Sequence, residues 1–194
     1  LSNLSRETPK SMTIIEDKPF LEYQLNLLNR NKIKEVVLCI GHLGDRIKEY
    51  FGSGKEFGIS IRYSEEKQGL LGTAGAIKHA QKILDEQFYV MYGDSYLPLN
   101  FQPIASFFNQ FNKLGLNVIF KNPFSYHPNN IAIEDSYVIK YDKEKPGQDM
   151  TYIDYGLSIF RKDVLAMIPK NTTYPLEELF QKLIKDKQLL AYEV

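Results

Sequence analysis

Short apolar runs alternate along this chain with stretches in which apolar residues recur every three or four positions. Phe88–Tyr92 is apolar or aromatic without a break, the mark of a strand buried on both faces in a helix-covered parallel sheet. Val36–Ile40 reads the same way, Ile59–Tyr63 alternates, and Leu116–Phe120, Tyr152–Phe160 and Leu189–Val194 are further strands. Between them the spacing predicts helices. Phe20–Arg30 carries Leu21, Leu25 and Leu28 on one face. Gly44–Tyr50 is short, and Thr73–Leu84 starts just after Gly69 and Gly72. Ile104, Phe107, Phe108, Phe111 and Leu114 mark another helix. Pro175–Asp186 has its proline in the first turn and Leu176, Leu179, Phe180 and Leu183 inside. Ile131–Ile133 and Tyr137–Tyr141 flank Glu134-Asp135 as a hairpin, and Leu1–Thr13 is irregular and polar. Strand–helix alternation predicts an α/β fold, Rossmann-like, with a mostly parallel sheet between helix layers that the hairpin makes mixed.

At 194 residues the chain fits a single domain with a real core. Its 24 basic and 24 acidic residues cancel, so charge makes no case for nucleic acid or an anionic membrane as partner. No apolar run reaches the length of a membrane span. Cys39 is the single cysteine, which excludes a disulfide framework and suits a reducing cytoplasm; inside VVLCI it reads as a small core residue. His42, His79 and His127 have no metal-site spacing, and no dinucleotide-binding glycine fingerprint is present.

Gly93 and Asp94 follow the Phe88–Tyr92 run at once. Glycine permits a sharp exit from the strand. Asp94 then falls just past a strand's carboxyl end, where open α/β sheets bind ligands. A carboxylate there suits Mg²⁺, a hard cation that shares oxygen ligands with substrate phosphates. The competing reading is an aspartate that only caps its turn.

Four stretches, in order, carry a resemblance: TPKSM with Pro9 and Lys10; SEEKQGLLGTAGAIKHA from Ser64 to Ala80; YGD from Tyr92 to Asp94; and DKEKP followed by YIDYGLSIF, from Asp142 to Phe160. The chain resembles the sugar-1-phosphate nucleotidyltransferases, nearest to the mannose- or heptose-1-phosphate guanylyltransferase type, over essentially its whole length. The resemblance implies the nucleotide-diphospho-sugar transferase fold, with Mg²⁺ as cofactor and a nucleoside triphosphate and a sugar-1-phosphate as substrates. The family's opening strand with a GxGTR loop, and its C-terminal segment, have no counterpart here, so a domain trimmed at both ends is expected.

The resemblance also implies roles. Lys10 would contact phosphates and Asp94 would hold the metal. Glu66, Gly72, Thr73 and Gly75 would receive the nucleotide, its base lying against glycine backbone at a helix start. Glu144, Lys145, Asp154 and Gly156 would bind the sugar phosphate; family members often carry Asn or Thr where Asp154 stands. The competing readings are a solvated lysine, a plain glycine turn, an exposed glutamate and a charged hairpin end. Tyr126 and Tyr155 are candidates for stacking on a base or lining a sugar pocket. The expected chemistry is attack by the sugar-phosphate oxygen on the α-phosphorus, with pyrophosphate leaving. Two alternatives stay open: a non-catalytic nucleotide-sugar-binding homologue, and a phosphocholine-type cytidylyltransferase with an aromatic box around its ammonium. Assembly into a homo-oligomer also stays open.

Overall fold

In a computed structural model, residues 8–67, 69–122 and 128–194 are described. The order is β1 (Ile14–Ile15), β2 (Lys18–Pro19), α1 (Phe20–Arg30), β3 (Glu35–Ile40), α2 (Gly44–Phe51), β4 (Ser60–Glu65), α3 (Gly72–His79), β5 (Gln87–Met91), α4 (Phe101–Phe108), β6 (Gly115–Lys121), β7 (Ile131–Glu134), β8 (Tyr137–Tyr141), β9 (Tyr152–Arg161), α5 (Leu176–Lys185) and β10 (Leu189–Glu193). The helix expected over Thr73–Leu84 tightens into a 3₁₀ turn from Ala80 to Ile83. The β1–β2 hairpin is an addition, too short to show as a period.

α1 and α5 obey their sequence, whereas α4 ends at Phe108, short of the Phe111 and Leu114 expected on it. α1 starts after Pro19, buries Leu21, Gln24, Leu25 and Leu27, and ends where Asn31 turns its amide back on the Leu27 carbonyl. α5 follows Pro175 with Glu177 and Glu178 in its first turn and Lys182 and Lys185 in its last, both signs favoured by the helix dipole. Its stripe of Leu176, Leu179, Phe180 and Leu183 is almost wholly buried, and each such side chain contributes about 1.5–3 kcal/mol.

Six strands form one sheet in the order β5-β9-β6-β10-β8-β7, with β7 also touching β9. Of its ladders only β6–β10 is parallel, and β3 and β4 pair parallel in a separate sheet. The fold is mixed α/β, as expected, with less parallel pairing than the strand–helix alternation suggests, because β9 runs antiparallel to both β5 and β6. β5 is therefore not central: it is an edge strand bonded only to β9 among the described residues. β3 likewise bonds only to β4, and most of its residues are half-exposed rather than buried.

A slot separates β3 from β5. One cavity of about 470 Å³ lies on its α1 side, against Leu21, Leu25 and Leu28; another of about 460 Å³ lies on its α3 side, against Thr73, Ala76 and Ile77. Val37, Leu38, Phe88, Tyr89 and Met91 wall both. Cys39 corrects its expected place: it faces this slot and is not in the core.

Candidate active site

The turn after β5 carries Asp94, which is exposed and makes no hydrogen bond or ion pair among the described residues. The turn closes with Ser95 N–H donating to the Tyr92 carbonyl at 3.1 Å. Gly93 needs no glycine conformation: its φ is not positive, and a Cβ there would meet nothing within 4 Å. The glycine that shapes this turn is Gly156. β9 bulges beside it, pairing Ser158 with Asn117 and then Asp154 with Ile119. Bulges re-aim side chains near sites. Gly156 has φ +91°, and a Cβ would fall 2.7 Å from Ser95 Oγ, so its bare backbone lets β9 close on the Asp94 turn.

The loop before α3 is clamped at both ends. Glu66 Oε2 accepts from Leu71 N–H at 2.6 Å, Leu71 carbonyl accepts from Tyr174 N–H at 2.7 Å, and Thr173 Oγ1 donates to the Leu70 carbonyl at 3.1 Å. Gly72, at φ +69°, lies against the Tyr174 backbone, and a Cβ on Gly75 would fall 2.9 Å from the Thr172 carbonyl. Gly75 thus packs on residues 172–174, whereas Glu66, Gly72 and Thr73 line the α3-side cavity together with Gly93.

Under the turn lies a buried carboxylate. The Asp154 side chain is 3% exposed. Its Oδ2 accepts from Tyr141 OH at 2.8 Å and from Tyr92 OH at 3.4 Å; its Oδ1 accepts from Asn117 Nδ2 at 3.1 Å and Gly156 N–H at 3.0 Å. Burial, and then the Asp154 charge, push both phenols far above their ordinary range. Lys143 Nζ sits 3.9 Å from Asp154, 2.9 Å from Glu177, and over the rings of Tyr92 and Tyr141 at 5.3 and 5.6 Å. Burial raises Glu177, but the Lys143 hydrogen bond and charge outweigh it and hold the carboxyl below its usual range.

Glu144 and Lys145 stand exposed after β8, their N–H groups both bonded to Asp142 Oδ1 at 2.8 Å. These bonds hold the Asp142 carboxyl below its usual range. The structure therefore joins Asp94 to Gly156 through Ser95, and Glu66, Gly72 and Thr73 to Gly93 through a shared cavity. Glu144 and Lys145 join this group only through their neighbour Lys143. Lys10 is exposed at the start of a 3₁₀ turn packed on α1, and among the described residues no hydrogen bond or ion pair joins it to Asp94. Tyr155 stacks on Phe120, 5.5 Å between centroids; Tyr126 and His127 lie outside the described residues. Missed in the sequence were Gln24, Asn117, Tyr141 and Lys143, which no local spacing connects.

No group of three or more His, Cys, Asp or Glu side chains among the described residues could hold a metal. A lone exposed carboxylate is the donor set that fits Mg²⁺ arriving with a nucleotide's phosphates, not a dedicated protein cage.

The chain matches the Nucleotidyl transferase family over residues 1–194. It belongs to that family. It is 32% identical over 185 residues to the D-glycero-alpha-D-manno-heptose 1-phosphate guanylyltransferase of Campylobacter jejuni, covering 95% of this chain and 81% of that protein. Identity to the UTP–glucose-1-phosphate uridylyltransferase of Synechocystis is 29%, over 98% of this chain and 53% of that one. The solved structure of HddC from Yersinia pseudotuberculosis complexed with GMP-PN superposes with TM-score 0.79 at 21% identity, covering 96% of this chain and 81% of that one. That likeness establishes the fold. The chain spans about half the length of several curated relatives, such as the uridylyltransferase. No helix among the described residues is long and apolar enough to cross a membrane.

Proposed function

We propose that this nucleotidyltransferase uses a nucleoside triphosphate, GTP by preference, and a sugar-1-phosphate, giving a nucleotide-sugar and pyrophosphate. The observation that carries it is the juxtaposition of Asp94, unpartnered among the described residues, with a cavity whose wall holds its neighbour Gly93 together with Glu66 and the start of α3. A sugar-phosphate oxygen attacks the α-phosphorus in line; its new P–O bond forms as the bond to the β-phosphate oxygen breaks. Bound Mg²⁺ supplies charge neutralisation for the phosphates, and Asp94 is the residue that would hold it. Lys10 is assigned to the triphosphate and Lys145, a compact point charge, to the sugar phosphate. Asp154 acts from beneath, its carboxylate committed to Tyr141, Tyr92, Asn117 and Gly156.

For the base, Glu66 offers one oxygen, since Oε2 is occupied by Leu71 N–H. A carboxylate oxygen accepts from guanine's N1–H or N2–H and meets carbonyl oxygens beside the lone N–H of uracil, which disfavours the pyrimidine. The two similar relatives quoted above use different bases by name, so the base rests on Glu66 and the guanylyltransferase likeness. The phosphocholine alternative weakens, because the Tyr92–Tyr141 ring pair already holds Lys143.

The test is pyrophosphate release across common triphosphates and a panel of sugar-1-phosphates, beside Asp94→Asn. Release should be fastest with GTP, and the variant should lose at least about 10²-fold in kcat, the scale of a removed electrostatic stabiliser. Nucleotide-sugar binding without release from any pair would favour the non-catalytic homologue. Near-normal turnover by Asp94→Asn at ordinary Mg²⁺ would remove Asp94 from the metal role.

A further inference from the structure

Because the Asp94 carboxylate has no partner among the described residues, its place is set by the backbone of the 92–95 turn. Among the described residues one side chain bonds that backbone. Gln24, on α1 and 2% exposed, donates from Nε2 to the Tyr92 carbonyl at 3.0 Å and to the Ser95 carbonyl at 2.7 Å, the two ends of the turn. Two helical turns on, along the same face, Asn31 bonds the continuation: its Nδ2 donates to Leu99 carbonyl at 3.0 Å and its Oδ1 accepts from Phe101 N–H at 2.9 Å. The amino end of α1 also anchors the segment after Lys10, through Phe20 N–H to Thr13 carbonyl at 2.9 Å.

We propose that Gln24 is a positioning residue of the active site: its buried amide locks the turn to α1 and so aims Asp94. The inference rests on the reading of Asp94 as the metal-holding carboxylate. Helix interiors of this kind are filled by apolar residues unless a polar group has partners to satisfy. Here a leucine would leave the Ser95 carbonyl without its donor and the Tyr92 carbonyl with the Ser95 N–H alone. The amide satisfies both, and it couples an exposed turn to a helix held in a hydrophobic cluster. Both hydrogens of that amide are given to the turn, so the effect is on geometry and not on chemistry.

The variants are Gln24→Leu and Gln24→Met, the second keeping an unbranched chain of similar length should the first fold poorly. Two quantities are read in the full chain: amide hydrogen exchange over residues 92–96, and the Mg²⁺ concentration giving half-maximal pyrophosphate release. Asp94→Asn is run alongside. Exchange should quicken by about tenfold, and the half-saturating Mg²⁺ should rise by about tenfold, the factor that one to two net hydrogen bonds carry; KM for the sugar phosphate should stay within about twofold of wild type, because Lys145 is untouched. Unchanged exchange overturns the proposal, since Gln24 then does not hold the turn. Quickened exchange with an unchanged Mg²⁺ requirement, while Asp94→Asn is inactive, overturns it also, since the turn then need not be held. An active Asp94→Asn refutes the metal reading itself and takes the proposal with it, and the Asp94 variant alone identifies that case.

Discussion

Cys39 faces the α3 side of the slot between β3 and β5, where its thiol donates to the Ala76 carbonyl at 3.7 Å. By surface it counts as exposed, because the slot is open. The protein around it nevertheless shields it from water, and that shielding governs its charge. Burial first, and the nearby Glu66 charge second, push the thiol up to about 12. A thiol that resists ionising is a poor nucleophile. The folded chain should react with iodoacetamide at pH 8 roughly 10²- to 10³-fold more slowly than the unfolded chain, whose thiol titrates near 8.5. A folded-state rate within about fivefold of the unfolded rate would show that the slot does not shield the thiol.

Among the elements, the β9 bulge decides more of the site than the β5 exit does. The β5 exit was legible, since an unbroken apolar run followed by Gly-Asp announces a strand and a turn. The bulge was not, because nothing in YIDYGLSIF says that Tyr155 and Gly156 leave the ladder; that depends on β6 pairing with β9 across 37 residues, from Asn117 to Asp154. The same limit hid Tyr141 and Lys143, whose partners come from the turn after β5, from β9 and from α5. Helices and strands could be placed because each carries its own period. Strand neighbours could not, so the edge position of β5 and the half-exposure of β3 escaped. Two substitutions separate the glycines on either side of this turn. Gly93→Ala should leave stability within about 0.5 kcal/mol of wild type, there being room and an ordinary φ. Gly156→Ala should cost about 1–3 kcal/mol, from strain at φ +91° and the push on Ser95. Chemical denaturation measures both. Equal losses would mean that the bulge relaxes without disturbing the turn.

For the whole molecule the open question is the slot itself. Two strands face each other across it with no partner on that side among the described residues. Buried backbone N–H and C=O groups left unpaired are costly, and two apolar cavities of about 470 and 460 Å³ add to that. The cavities lie on opposite faces, toward α1 and toward α3. A single extended segment matches that shape: its successive side chains point to opposite faces, its backbone bonds both edges, and its apolar residues fill the α1-side cavity and the part of the α3-side cavity against Ala76, Ile77 and Phe88, leaving the part at Glu66, Gly72 and Gly93 open. Its carboxyl end would emerge beside Gly93, Glu66 and Gly72, which line the α3-side cavity. A polypeptide carrying such a strand ahead of Leu1 should therefore unfold at a Tm roughly 10 °C or more above the 194-residue chain, as about 3 kcal/mol or more of added burial and pairing requires at this size. It should also protect Cys39 further from alkylation. Tm is read by calorimetry and the thiol by mass spectrometry. If the added strand leaves both unchanged, the slot does not take it, and β3 and β5 are edges in their own right.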